Sequence, residues 1–245
     1  MKIALLGIGK MGQEVEMASV KAGHFIVTKF GSERLISPDL LRESGAEVAI
    51  DFTQPSAVVT NVRVCAKAGV PLVIGTTGWE EHLEQVKRIA NDAGIGVIMG
   101  SNFSVGVNLF LQIVRNASRL VNGAGYDAYI LEEHHRAKKD HPSGTALRLS
   151  EMVLSGLQSK HRVLSDLKHG EAPPKDALVI SSIRAGAITG THTVGFDGPE
   201  DTIELVHRAK NRGGFASGAV RAAEWIRDKK GFYRFEEHIT DIIEN

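Results

Sequence analysis

The sequence has few of the features that mark an exported or membrane-spanning protein. It contains one cysteine, Cys65, so no disulfide can form within the chain, and we interpret Cys65 as a small buried hydrophobe in a reducing compartment. No apolar run approaches the roughly 18 residues that a membrane span needs. The apolar start of the chain superficially resembles an export signal, but Gly7, Gly9 and Gly12 interrupt it and Lys10 lies among them, so we do not expect one. We expect a cytoplasmic protein that does not contact membranes.

The sequence also lacks an excess of charge of one sign. Its 29 Lys and Arg residues balance 29 Asp and Glu residues, and aromatic residues make up 6%. This composition argues against nucleic acid or an anionic surface as a partner. With 245 residues, 42% of them hydrophobic, the chain can form one large globular domain or two small ones. Any anionic ligand must therefore be recognised by local charge.

The first hundred residues alternate short apolar runs with longer amphipathic runs. Because the strand-like runs are nearly all apolar, both faces of their sheet are expected to be buried. The pattern predicts an α/β fold with an N-terminal Rossmann domain, a doubly wound parallel sheet covered by helices. The strand-like runs are 3–6, 25–28, 48–50, 72–74 and 97–99, and the helix-like runs are 11–22, 56–68 and 80–93.

The pattern changes after Asn102. Helix-like runs at 107–121 and 145–158 flank a strand-like run at 126–131, and three further strand-like runs follow at 178–183, 191–196 and 202–206. Residues 159–177 are polar and contain Pro173 and Pro174, so we interpret them as a loop. Consecutive strands without helices between them predict a smaller C-terminal α+β domain with a mixed sheet. A last helix-like run, 215–229, is expected to pack back on the first domain.

A glycine-rich turn follows the first strand-like run and opens the first helix-like run. In a G-x-G-x-x-G turn, the first glycine permits the tight turn, the second lets the backbone approach a pyrophosphate, and the third lets helix and strand pack closely. The helix start would then direct free N–H groups at the phosphates. A chance glycine turn is the alternative, but the position after a first strand favours dinucleotide binding. The candidate contacts are Gly7, Ile8, Gly9, Lys10, Met11 and Gly12.

The residues after the second strand-like run bear on the choice of cofactor. An NAD site usually has an acidic residue there, which binds the ribose hydroxyls. Here the first charged residue is Lys29, and Ser32 and Arg34 follow, so we predict a 2′-phosphate contact and NADPH as the cofactor. A solvated loop with incidental charges is the alternative. NADH stays possible, because Glu33 is also available for the ribose.

Two further loops fall where strands of the predicted sheet end. Ligands of open α/β sheets bind outside the carboxyl ends of the strands, so small and hydroxylated residues in these loops are candidates for contacts with the nicotinamide ribose and amide. The candidates are Gly75, Thr76, Thr77, Gly100, Ser101, Asn102 and Phe103.

The segment from Glu132 to Ala146 holds three histidines, three further cations and a Pro-Ser-Gly-Thr turn. The adjacent His134 and His135, followed by a gap of five residues before His141, do not match the usual zinc spacings, so we predict no metal. A solvated polar loop is the bland alternative. The composition nevertheless suits proton transfer, because histidine titrates near neutral pH.

The end of this segment predicts an anion-binding helix start. Ser143 has the position of an N-cap residue, which places the N–H groups of Gly144 and Thr145 and the Thr145 hydroxyl at the positive end of a helix dipole. Lys138 adds a point charge that can bind a carboxylate or donate a proton. A cation together with a helix start suggests a ligand that carries negative charge at more than one point.

At this stage the residues resemble a known family, the dihydrodipicolinate reductases, also called 4-hydroxy-tetrahydrodipicolinate reductases. The pattern Glu-x-His-His-x-x-x-Lys-x-Asp-x-Pro-Ser-Gly-Thr-Ala from Glu132 to Ala146 is similar to the family signature, and the likeness extends over nearly the whole chain. It includes the glycine turn and the segments 51–53, 75–78, 102–108, 184–186 and 215–219.

The resemblance implies hydride transfer from a nicotinamide cofactor to a ring carbon of a cyclic dicarboxylate in lysine and diaminopimelate biosynthesis. It implies His134 as general acid or base and Lys138 as a second proton donor or carboxylate contact. It also implies a homotetramer, a dinucleotide-binding domain over 1–103 plus 216–245, and a substrate-binding and oligomerisation domain over 104–215. The residues implied to hold the substrate carboxylates are His135, Ser143, Gly144 and Thr145.

Two other functions remain as alternatives. One is a different dehydrogenase on a similar scaffold, such as a semialdehyde or amino-acid dehydrogenase. A semialdehyde enzyme would need a catalytic cysteine, and Cys65 lies in a helix-like run. The other is a non-catalytic nucleotide sensor, which would give the segment from Glu132 to Ala146 no purpose.

Overall fold

The computed structural model describes residues 1–167, 169–211 and 213–244, which form two compact units. The first unit holds Met1–Val105 and the C-terminal segment that begins at Gly213, and the second begins at Gly106 and fills the interval between them. Each unit has its own sheet and its own apolar core. The sequence predicts that the first part of the chain binds a dinucleotide and that the second binds substrate and forms the oligomer, and these roles stay predictions.

Within the described residues, the first unit contains a six-stranded parallel sheet in the order β11-β5-β4-β3-β1-β2. Five strands match the predicted apolar runs to within two residues, because residues buried on both faces of a sheet must be apolar. Its strands are β1 (Lys2–Leu6), β2 (Phe25–Phe30), β3 (Val48–Asp51), β4 (Leu72–Ile74), β5 (Gly96–Met99) and β11 (Gly231–Arg234).

Helices cover both faces of this sheet. Successive residues of β1 point to opposite faces of the sheet. Ile3 enters an apolar core built with α1 and α7, and Ala4 enters a separate core built with α3 and α4. The doubly wound Rossmann architecture predicted from the sequence is therefore confirmed. The helices are α1 (Lys10–Lys21), α2 (Pro38–Glu43), α3 (Pro55–Ala68), α4 (Leu83–Ala93), α7 (Gly213–Ile226) and α8 (Ile239–Glu244).

The second unit contains a five-stranded mixed sheet in the order β10-β9-β6-β8-β7. Its central strand β6 pairs parallel with β8 and antiparallel with β9. The strands are β6 (Asp127–His134), β7 (Arg162–Leu164), β8 (Ala177–Arg184), β9 (Thr191–Asp197) and β10 (Thr202–Arg208). The expected loop over 159–177 is wrong in part, because Arg162–Leu164 pairs with β8 as a short edge strand.

Two helices, α5 (Val105–Leu120) and α6 (Gly144–Gly156), cover one face of this second sheet. Their apolar residues form one core with the alternate β6 residues Ala128 and Ile130. The next two residues of β6 on the same face are Glu132 and His134, so polar side chains follow the apolar ones. The smaller domain with a mixed sheet is confirmed, and its covered face changes from apolar to polar along β6. No helix in the described ranges is both long and apolar enough to span a membrane.

Candidate active site

The glycine turn after β1 has the geometry that its sequence predicts. Gly7 has φ +90°, and a Cβ atom there would lie 2.2 Å from the carbonyl oxygen of Phe52. A Cβ on Gly12 would lie 2.1 Å from the carbonyl oxygen of Gly7, so close packing of α1 on this turn requires glycine. A Cβ on Gly9, the residue just before α1, would have no described atom within 4 Å. Gly9 thus leaves open space at a helix start, where a pyrophosphate fits.

A cavity of about 430 Å³ adjoins this turn. Its walls include Ile8 from the turn, Phe30 and Ser32 at and after the end of β2, and Thr53 and Asn61 from the region after β3. The cavity lies at the carboxyl ends of β1 and β2, where open α/β sheets bind their ligands. Its size and its glycine-rich wall fit the adenosine half of a dinucleotide.

The cations after β2 have different environments. The Nζ of Lys29 donates to both carboxylate oxygens of Glu16, at 2.6 and 2.7 Å, and Lys29 lines a separate cavity beside α1. Arg34 donates to the Thr28 hydroxyl, and its guanidinium carbon lies 5.1 Å from the centre of the Phe30 ring. Since Phe30 lines the larger cavity, the Arg34 guanidinium lies beside a residue of its wall, whereas Lys29 does not line it.

The ends of β3 and β4 are joined through one buried carboxylate. Asp51 Oδ1 accepts from the Thr53 N–H, the Thr53 hydroxyl and the Thr76 hydroxyl at 2.8, 2.6 and 3.0 Å. Oδ2 accepts from Asn61 Nδ2 at 2.9 Å. Burial raises the pKa of Asp51, and these hydrogen bonds from neutral donors offset only part of the increase. Asp51 therefore ties the segment after β3 to the predicted cofactor loop after β4.

The other predicted cofactor residues differ in exposure. Thr77 and Ser101 are exposed, whereas Thr76 is buried against Asp51. The Phe103 ring is buried in the core, with its centre 4.8 Å from that of Phe235, so the ring is not available to a ligand. Gly100 packs against the same rings, while Gly75 and Asn102 are partly exposed.

In the second unit, Glu132 and His134 form a buried pair at the end of β6. Glu132 Oε2 lies 2.5 Å from His134 Nδ1, and Glu132 is fully buried. The other ring nitrogen, Nε2, faces Gly190, where a Cβ atom would lie 3.1 Å from it. Burial lowers the pKa of His134, and the positive charges of Lys138 and Arg184 add to that effect, whereas Glu132 opposes it.

The second oxygen of Glu132 is held from two directions. Oε1 accepts from Arg184 Nη2 and the Ser182 hydroxyl, each at 2.7 Å, and from the Ser143 N–H at 3.1 Å. Although burial alone would raise the pKa of Glu132, the Arg184 and Ser182 hydrogen bonds and the charge of His134 lower it to about 2. Glu132 is therefore an anion at neutral pH, fixed between β8 and the start of α6.

A second histidine, His192 on β9, lies beside this pair. Its ring centre is 5.1 Å from that of His134, and its Nε2 lies 3.1 Å from the Ser143 hydroxyl oxygen. Burial, together with the nearby His134, lowers the pKa of His192 to about 4, so this ring is neutral at pH 7. The Ser143 hydroxyl also accepts from the Ala146 N–H and is the N-cap of α6, as predicted.

The remaining residues predicted to bind substrate lie at the start of α6 and in the preceding loop. Gly144 is exposed and Thr145 half-buried in the first helical turn, where backbone N–H groups have no intrahelical acceptor. The Nζ of Lys138 donates to both carboxylate oxygens of Asp140 at 2.8 Å. His135 is half-buried, and its carbonyl oxygen accepts from the Lys138 N–H.

Four site residues were not identified as functional from the sequence: Glu132, Asp140, Arg184 and His192. Glu132 could have been found, because residues two apart on a strand share a face. Arg184 and His192 come from strands distant in sequence and become neighbours only through the register His134↔Arg184 and Glu132↔His192. Glu132, His134 and His192 also present possible metal-ligand atoms within 4.8 Å of one another. The positive charges of Arg184 and Lys138 oppose a metal ion there.

Cys65 was interpreted as a structural residue, and the structure agrees. The side chain is fully buried in α3, and burial raises the pKa of its thiol. A neutral, inaccessible thiol is unsuited to nucleophilic catalysis, which requires a thiolate. This finding argues against a semialdehyde dehydrogenase that depends on a cysteine.

A Rossmann sheet with an open glycine turn, together with a second sheet that carries a buried carboxylate–histidine pair, fits the class of nicotinamide-dependent oxidoreductases. Family models agree: residues 1–103 match "Dihydrodipicolinate reductase, N-terminus" and residues 106–239 match "Dihydrodipicolinate reductase, C-terminus". The chain belongs to the dihydrodipicolinate reductase family.

Individual relatives support the same assignment. The chain is 37% identical to a 4-hydroxy-tetrahydrodipicolinate reductase of Christiangramia forsetii over 100% of both chains. It is 39% identical to the enzyme of that name from Archaeoglobus fulgidus, over 98% of this chain and 100% of the relative. A solved dipicolinate-bound dihydrodipicolinate reductase from Paenisporosarcina sp. TG-14 superposes with a TM-score of 0.78 at 25% identity, covering 97% of this chain and 98% of that one. Membership of this family makes the chain an NAD(P)H-dependent oxidoreductase.

Proposed function

We propose that this protein reduces 4-hydroxy-tetrahydrodipicolinate to tetrahydrodipicolinate in lysine and diaminopimelate biosynthesis. The net reaction adds a hydride from NAD(P)H and a proton to the substrate ring and releases water. The observation that carries the proposal is the arrangement around α6: His134, Lys138 and the helix start combine a proton donor with two kinds of anion-binding group. A biosynthetic enzyme that consumes NAD(P)H is expected in the cytoplasm.

The residues of the second unit have distinct proposed roles. His134 transfers the proton through Nε2, because Nδ1 is in contact with Glu132. The N–H groups of Gly144 and Thr145 bind one substrate carboxylate, and Lys138 and His135 bind the other. A planar dicarboxylate such as dipicolinate, which is bound to the Paenisporosarcina relative, has the size and charge for such contacts.

The first unit binds the cofactor, which supplies the hydride. Gly9 and the N-terminus of α1 bind the pyrophosphate, and the cavity beside Phe30 takes the adenosine. We infer a preference for NADPH, because Lys29 and Arg34 supply positive charge near the end of β2, and Ser32 in the cavity wall offers a hydroxyl to the 2′-phosphate. NADH remains the second cofactor to test.

The face of the second sheet opposite α5 and α6 is the proposed tetramer interface. Tyr129 lies over Gly195 on this face and donates to Glu204, while Ile183 and Val206 are 42% and 44% exposed. An exposed apolar surface on a sheet is typical of a contact between protein chains. Light scattering after gel filtration of wild type and Val206→Asp checks this, with a tetramer expected only for wild type.

The activity is tested by mixing purified protein with NADPH and the freshly made condensation product of pyruvate and aspartate semialdehyde. We expect rapid oxidation of the nicotinamide, faster with NADPH than with NADH. Lys29→Glu and Arg34→Glu should each shift the preference toward NADH. Failure to turn over with either cofactor would exclude the proposed activity.

A further inference from the structure

We propose that Glu132 is the positioning residue of the proton donor: it holds His134 by Nδ1, so that Nε2 is the nitrogen presented to the substrate. This inference rests on the proposed function, which makes His134 the proton donor. It assigns a role to a fully buried carboxylate that acts through the histidine.

The first argument is the geometry of the ring. Two electronegative atoms, Glu132 Oε2 and His134 Nδ1, lie 2.5 Å apart inside the protein, and a proton between them makes this contact favourable. A neutral imidazole carries a single N–H, so a proton on Nδ1 leaves the lone pair on Nε2. The exchangeable proton of the imidazolium is then the one on Nε2.

The second argument is the space at Nε2. Gly190 faces this nitrogen, and any Cβ atom at position 190 would lie 3.1 Å from it. The chain thus keeps a side chain away from the nitrogen that must meet the substrate. Nδ1, by contrast, is buried against the carboxylate.

The third argument is the rigidity of the carboxylate. Glu132 Oε1 accepts hydrogen bonds from Arg184, Ser182 and the Ser143 N–H, which leaves Oε2 for His134. Ser143 is the N-cap of α6, so the bond to its N–H ties the orientation of the histidine to the proposed carboxylate-binding helix start. One carboxylate therefore fixes the proton donor relative to the anion site.

The fourth argument is electrostatic. The charged and titratable groups around His134 are Glu132 on the same strand, Lys138 in the following loop, Arg184 on β8 and His192 on β9. Burial and the two cations lower the pKa of His134, and Glu132 alone among these four groups raises it. Without Glu132 the pKa of His134 would fall further, so the ring would carry a proton less readily near neutral pH.

The decisive experiment combines kinetics of Glu132→Gln with NMR of the wild-type protein. Glu132→Gln should lower kcat by roughly 10²-fold or more, because it misorients a general acid. The KM for substrate and the Kd for NADPH should change by less than about 3-fold, since Glu132 is fully buried and offers no surface to a ligand. In the pH profile of kcat/KM, activity falls as pH rises and His134 loses its proton, and this fall should move to lower pH in the variant. Glu151→Gln, on the exposed surface of α6, is the matched control.

The NMR measurement needs neither a variant nor turnover. Nitrogen-15 shifts of the imidazole should show the neutral His134 ring of the wild type protonated at Nδ1. A neutral ring protonated at Nε2 would overturn the proposal even if Glu132→Gln were too unstable to assay. So would a folded Glu132→Gln variant with unchanged kcat and pH profile. Absence of wild-type turnover would instead count against the proposed reductase activity.

Discussion

Asp51 and Glu132 are both fully buried carboxylates near the carboxyl end of a strand, one in each unit, yet burial affects them differently. Among the described residues, the donors to the Asp51 side chain are neutral groups, so burial dominates and its pKa is raised. Glu132 has the guanidinium of Arg184 on one oxygen and His134 on the other, and its pKa is lowered to about 2. The charge of the partners, rather than depth, decides whether a buried carboxylate stays ionised. Asp51 thus suits a structural tie, and Glu132 suits a site that handles protons.

The largest effect on stability should follow from removing the cation that compensates Glu132. Arg184→Leu leaves a buried carboxylate without its ion-pair partner, and we expect a loss of about 3 kcal/mol in the free energy of unfolding. The control is Arg162→Leu, which breaks an exposed ion pair with Asp176 and should cost less than about 1 kcal/mol. Urea unfolding at pH 7 measures both. Equal losses for the two variants would mean that burial does not distinguish these pairs.

The pH dependence of stability should have opposite signs for the two carboxylates. The lowered pKa of Glu132 contributes stability that is present above about pH 4.5 and lost as the pH falls toward 2, by at most about 3 kcal/mol. The raised pKa of Asp51 has the reverse effect, because the unfolded chain ionises first and stability falls as pH rises above 3.8. The difference in the free energy of unfolding between wild type and Glu132→Gln should therefore become smaller on acidification. The corresponding difference between wild type and Asp51→Asn should become larger. If both differences changed with pH in the same direction, the two carboxylates would not have opposite effects on stability.

A smaller effect is expected when Asp51 is neutralised at pH 7. Asp51→Asn keeps the shape of the side chain and removes an ionisation that burial disfavours, so the lost hydrogen bonds should cost only about 1 kcal/mol. The consequence should be seen in cofactor binding, because an NH2 group replaces Oδ2, the acceptor of Asn61, and Asn61 lines the proposed adenosine cavity. Titration calorimetry with NADPH should show weaker binding than for the control Asp39→Asn, an exposed change on α2. A stability loss as large as that of Arg184→Leu would contradict the assignment.

The sequence predicts the parts of both units that local pattern determines, and it misses the parts that depend on distant pairing. Strands buried on both faces were found because they must be apolar. The strand β11 was missed because Gly231–Arg234 is short, half-buried and placed by parallel pairing with β5. Likewise, α2 has six residues, too few for a helical period to be visible. At the site, the motifs identified His134 and the start of α6, while His192 and Arg184 entered only through the register of the second sheet.

Each unit also has a glycine at a helix start with open space around it. Substituting these two glycines should have the smallest effect on the stability of the fold. A Cβ on Gly9 before α1, or on Gly144 at the start of α6, would meet no described atom within 4 Å. We expect Gly9→Ala and Gly144→Ala to change the free energy of unfolding by no more than about 1 kcal/mol. Each added methyl group should instead obstruct a ligand. Gly9→Ala should weaken NADPH binding and leave the KM for the dicarboxylate unchanged, and Gly144→Ala should do the opposite.

Gly12→Ala is the control for this pair, because its Cβ would lie 2.1 Å from the Gly7 carbonyl oxygen and must disturb the turn itself. Thermal unfolding separates the two classes: the melting temperature should fall clearly for Gly12→Ala and little for the other two variants. If Gly9→Ala and Gly144→Ala bound both ligands normally, the open space at these helix starts would have no function in binding. If either variant weakened both ligands equally, the assignment of the cofactor to one helix start and the dicarboxylate to the other would be wrong.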